Sequence, residues 1–161
     1  MLPNLDTWDV LSGLHASLAW HLYLMAQPAG LPEQLIAGAP DAFFGHFLDV
    51  WANDPAAVPA DVRAAYLAAC RDAVPSIVAD YRASATIDVA HDRADRDAGR
   101  RLTMPVAVLQ QDWGSALGFD AAALWAAWAP DLVHRTAAAG HFMAEQDPEL
   151  VIRNVRELLD R

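Results

Sequence analysis

The chain has 161 residues, 55% hydrophobic and 20% charged, with a formal net charge of −10. That length suits one ordinary domain or two small ones, and so much apolar material excludes global disorder. The acidic balance excludes nucleic acid as a partner, and the lone Cys70, read as a small buried hydrophobe in an alanine-rich helix, excludes an internal disulfide or a thiolate metal cluster.

The first half reads as helical, from about residue 5 to 98. Val10 to Leu31 lacks Asp, Glu, Lys and Arg, yet Asp6 and Asp9 precede it and His15, His21, Gln27 and Pro28 lie within it. It is expected to be an amphipathic or buried helix, not a membrane span or a signal sequence. Leu14, Leu18, His21 and Met25 recur at helical spacing, which predicts one shared face. Pro28, Gly30 and Pro32 end that helix. Pro40-Asp41 opens a short helix carrying Phe43, Phe44, Phe47, Leu48 and Trp51, and Asn53 to Pro59 is a loop. Asp61 is expected to cap a helix to about Asp72. Pro75 then falls in the first turn of a new helix with Val78, Tyr81 and Ala85 on one face. Arg93, Arg96, Arg100 and Arg101 alternate with Asp92, Asp95 and Asp97, which reads as a solvated, charge-mixed helix face or loop.

After Gly99 the period changes. Met104 to Leu109 is a short apolar run suited to a strand buried on both faces. Trp113-Gly114-Ser115 marks a turn, Asp120 caps a helix with Leu124, Trp125 and Trp128, and Leu132 to Ala138 is a second strand. Asp147-Pro148 begins the last helix, with Val151, Val155, Leu158 and Leu159 as its apolar stripe. The order βαβα predicts a parallel sheet, and two strands leave edges that need neighbours. The resulting division is a helical segment over residues 1–84 and an α/β segment over residues 85–161.

Gly140-His141-Phe142 lies between the second strand and the final helix. A histidine there is presented at the carboxyl edge of the sheet, where open α/β folds bind ligands, and imidazole suits a general base at neutral pH. The usual nucleophile elbow, G-x-[SD]-x-G, does not occur, nor does a Gly-rich phosphate loop or H-E-x-x-H. No metal or organic cofactor is expected.

Trp20 to Pro28 followed by Leu31-Pro32-Glu33 resembles the first cap segment of the fluoroacetate and haloacetate dehalogenases, which border the epoxide hydrolases. Asp80 to Ala83, His91-Asp92 to Asp95 with Ala98-Gly99, Trp113-Gly114 and Gly140-His141-Phe142 resemble that branch in the same order. The resemblance implies a partial α/β-hydrolase fold: a helical cap followed by a βαβα remnant of the parallel sheet, about half of such an enzyme. It implies that His141 activates water to hydrolyse an aspartyl ester, that His21 and Tyr81 donate hydrogen bonds to the departing halide, and that Trp51 lines the cap pocket. The family's third halide donor is a tryptophan where this chain has Leu22. Its nucleophile, oxyanion loop and carboxylate-binding arginines lie upstream of anything present. Its supporting acid would fall just before Met1, so Met1 is read as an internal methionine of a longer frame and the chain alone as inactive.

Read without the resemblance, His21, Tyr81 and Trp51 are core residues. Asp112, after the first strand, is a candidate replacement for the supporting acid. His15, His46, His91 and His134 are read as surface or structural; His91 and Asp92 are adjacent and do not face each other on a helix. The expected partner is a small haloacid or related substrate in a cytoplasmic setting, without membrane. The alternatives are an epoxide hydrolase-like fragment and a non-catalytic helical binding or oligomerisation module, its sheet edge paired with a partner or a second copy.

Overall fold

The computed structural model describes residues 2–52, 54–111 and 118–161. Trp113-Gly114-Ser115 and the candidate acid Asp112 lie outside the described residues. Helices α1 (Asn4–Val10), α2 (Trp20–Met25), α3 (Leu31–Gly38), α4 (Pro40–Val50), α5 (Ala60–Ala85) and α6 (Ile87–Asp97) come first. Strand β1 (Val106–Gln111), α7 (Ala121–Ala126), β2 (Leu132–Ala137), α8 (Met143–Gln146) and α9 (Pro148–Leu159) follow.

The first expected helix is broken in two. Gly13 takes φ 57°, a conformation that ends a right-handed helix, and a short 3-10 turn fills Gly13–Ser17. The Tyr23 hydroxyl donates to the Leu11 carbonyl at 3.1 Å, and the Trp8 and Tyr23 rings meet edge to face. The four periodic residues therefore do not share a buried face: Leu14 is 97% exposed, whereas His21 and Met25 are buried.

A second correction concerns Pro75. It lies inside α5, a continuous helix of 26 residues, and starts no new helix. Proline removes one backbone donor there, a cost that packing offsets, because Val74 and Val78 on the same helix are 3% and 0% exposed. Asp61 does not cap α5 either. It sits in the first turn, where its charge suits the helix dipole, and Pro59 holds the cap position.

α5 touches α2, α3, α4 and α6, so it is the axis of the helical region. Met25, Ile36, Val74 and Val78 form its core, with Phe43, Phe44, Ile77 and Tyr81 packed against them. α3 is fastened at its start, where the Gly30 N–H donates to Glu33 and Arg82 from α5 pairs with the same carboxylate at 2.7 Å. α1 packs on α6 and holds the Asp6 carboxylate, which accepts from Trp128 Nε1 at 2.8 Å.

The two strands pair in parallel, Val106 opposite Leu132 through Gln111 opposite Ala137. The expected caps are present on the next two helices: Asp120 accepts from the Ala123 N–H and Asp147 from the Leu150 N–H. α9 covers one face of β1 but buries no residue fully, and Ile152, Val155 and Leu159 stay exposed. Among the described residues, no helix is long and apolar enough to cross a membrane.

Candidate functional site

His21, Trp51, Tyr81 and His141 come from four separate places in the chain and meet in one cluster. α2 presents His21, the end of α4 presents Trp51, α5 presents Tyr81, and the loop after β2 presents His141. The His21 ring lies 5.0 Å from the Trp51 ring and 6.1 Å from Tyr81, centroid to centroid. Trp51 is in turn 4.7 Å from His141. It is also bound through its backbone, since its carbonyl accepts from the His141 N–H at 2.9 Å. Trp51 thus joins the two histidines by ring contact and fixes one by its main chain.

His21 is 7% exposed, and its Nδ1 is buried without a hydrogen-bond partner. Burial lowers its pKa to about 4, with smaller contributions from His141 and His46. Its imidazole is therefore neutral near pH 7, carrying one N–H and one lone pair. An orphaned polar atom in an aromatic setting costs free energy unless something else supplies a partner. Tyr81 is half-buried, and burial raises its phenol, which keeps the hydroxyl protonated as a donor.

His141 keeps an exposed surface, but Trp51 and Phe142 pack against its ring at 4.7 and 5.5 Å. That partial desolvation lowers its pKa below the ordinary 6.5, which favours the neutral imidazole near pH 7.

Sequence reasoning did not single out Phe47, His46 or Trp20 for the site. Phe47 lies within 5.0 Å of His21 and 4.7 Å of Trp51, and it stacks on Trp20. The Trp20 ring sits 5.9 Å from the exposed His46 ring. The available signal was helical spacing, because Phe47 precedes Trp51 by four residues and so shares its face. Leu22 is half-buried and offers no N–H. Cys70 stands apart on α5, its thiol pushed up by burial. Among the described residues no group of three or more His, Cys, Asp or Glu side chains could hold a metal ion.

No family model matches the chain. It is 30% identical over 165 residues to a fluoroacetate dehalogenase from Burkholderia sp, covering 99% of this chain and 53% of that protein. A Pseudomonas aeruginosa protein assigned provisionally to the epoxide hydrolases superposes with a TM-score of 0.90 at 34% identity, over 99% of this chain and 54% of its own. A variant of that protein has been solved with bound MFA. A Nostoc protein assigned provisionally to the α/β-hydrolases gives a TM-score of 0.88 at 28% identity, over 99% and 55%. The chain thus spans about half the length of the relatives it matches. Its helical region followed by a parallel βα unit is a partial α/β-hydrolase fold, resembling the fluoroacetate dehalogenases and the epoxide hydrolases that border them.

Proposed function

We propose that this chain carries the cap and the base-bearing end of the core of a hydrolase that removes halide from a small haloacid. In this reading a carboxylate outside these residues attacks the halogen-bearing carbon. The carbon–halogen bond breaks as a carbon–oxygen ester bond forms, and the halide leaves toward His21 and Tyr81. His141 then takes a proton from water. The resulting hydroxide attacks the ester carbonyl, which returns the carboxylate and frees the hydroxyacid.

The observation that carries this reading is the buried, unpartnered Nδ1 of His21 beside Tyr81. With the proton on Nδ1, a neutral imidazole and a protonated phenol supply two donors for a leaving anion in a desolvated pocket. The lowered His141 pKa supports its role as base, since a free imidazole is what water activation requires. Residues 1–84 as cap and 85–161 as core belong to the same proposal, as does Asp112 as a supporting acid.

A second reading follows from Leu22. With a leucine in place of a third donor, the His21–Tyr81 pair also suits the single oxygen of an epoxide, as the likeness to the Pseudomonas protein suggests.

The test joins this chain, in one reading frame, to the part of the Burkholderia relative that it does not cover. The chain alone should release no halide from haloacetates. The joined protein should release it, and His141→Ala should abolish that release. Turnover that survives His141→Ala would remove His141 from the mechanism. Turnover of epoxides but not haloacetates would select the second reading.

A further inference from the structure

His141 stands on irregular backbone between β2 and α8, and a base on a loop needs support to hold its geometry. Three hydrogen bonds surround it. The Gly140 N–H donates to the Gln146 side-chain carbonyl at 2.6 Å, while the Gln146 N–H returns to the Phe142 carbonyl at 3.1 Å, closing a small ring around His141. The His141 N–H donates to the Trp51 carbonyl. Next, the Tyr66 hydroxyl, from the first turns of α5, donates to Glu145 Oε1 at 2.5 Å. The segment is therefore tied within itself through Gln146 and to the helical region twice, at Trp51 just after α4 and on α5.

We propose that Gln146 and the Tyr66–Glu145 pair are positioning residues for His141, forming a clasp by which the helical region sets the depth of the imidazole against Trp51. Gln146 fixes the curvature of the loop, because its side chain replaces the backbone partner that Gly140 lacks. Tyr66 and Glu145 fix the loop's distance from α5. A short phenol–carboxylate hydrogen bond has a defined length, unlike apolar packing, which slides. Tyr66 is 39% exposed, so burial of its ring alone is a poor reason for its place. The proposal rests on the reading of His141 as the base, but the bonds themselves can be probed without turnover.

The test is amide hydrogen exchange and imidazole NMR on the full chain. Glu145→Ala and Tyr66→Phe should each speed exchange at the His141 amide by about tenfold, the expected cost of one lost hydrogen bond, while the Val78 amide in the helical core is unchanged. The His141 ring signal, displaced by the Trp51 ring current, should move toward that of a free imidazole. Glu145→Gln keeps an acceptor and should restore both. Gln146→Ala should loosen the loop likewise, and Gln146→Glu should restore it. If Gln146→Ala does not fold, the surface pair Tyr66 and Glu145 decides alone. An unchanged His141 amide, or one that quickens only in step with Val78, overturns the clasp. Neither result depends on whether His141 proves to be the base.

Discussion

The helical region and the βα region handle buried polar atoms in different ways. In the helical region the orphaned atom is His21 Nδ1, and it sits among Trp51, Tyr81 and Phe47, where a ligand is proposed. In the βα region Gln110 Oε1, Gln111 Oε1 and His134 Nε2 are buried without partners on the strands themselves. The helical region also has a packed centre, Met25, Ile36, Val74 and Val78, while α9 leaves Ile152, Val155 and Leu159 in solvent. Among its described residues, the first region packs around one unmet donor or acceptor. The second leaves three such atoms among its described residues, all on its two strands.

The largest way to test that contrast is to hollow the packed centre. Ile36 is 1% exposed, and Ile36→Ala should cost about 2–5 kcal/mol in urea unfolding. A cost near zero would show that the helical region is not the stable part. Next comes acid. His21 titrates near 6.5 when unfolded and about 4 when folded, so the unfolded chain gains a proton first as pH falls. The stability held above pH 6.5 should be lost progressively down to about pH 4, by roughly 3 kcal/mol from this residue. His21→Phe should flatten that slope relative to the parent chain, and equal slopes would mean that His21 is not held neutral. The smallest effect belongs to α9. Leu159 is 79% exposed, so Leu159→Ser should change stability by less than about 0.5 kcal/mol. A larger loss, dependent on protein concentration, would show that this stripe is covered by a second copy in solution.

Several local signals agree with the structure, although Asp61 does not cap α5. Pro40 begins α4, Asp120 and Asp147 cap their helices through side-chain bonds, and the two apolar runs pair in parallel. Convergence of His21, Trp51, Tyr81 and His141 was legible only through the resemblance, since periodicity cannot bring residues so far apart in sequence together. Two misreadings share one origin. The expected helix over Val10 to Leu31 runs through Gly13, whose φ breaks it, and a new helix is expected at Pro75, where the burial of Val74 and Val78 carries one helix through. In both cases a single residue's backbone chemistry was weighed against tertiary packing without sight of that packing. Phe47 was missed because an aromatic at core spacing gives no sign of which neighbours it will touch.

The unbroken length of α5 has a consequence for what the chain can tolerate. Tyr66 reaches Glu145 near its start and Tyr81 reaches His21 near its end. At about 1.5 Å per residue the two tyrosines stand about 22 Å apart along one rigid axis. Adding or deleting a single residue between them would turn one tyrosine by about 100° relative to the other. One end would then leave its partner even if every apolar side chain were kept. α5 therefore behaves as a gauge whose length is fixed from both ends, permissive toward exchange of exposed residues and intolerant of any change in their number.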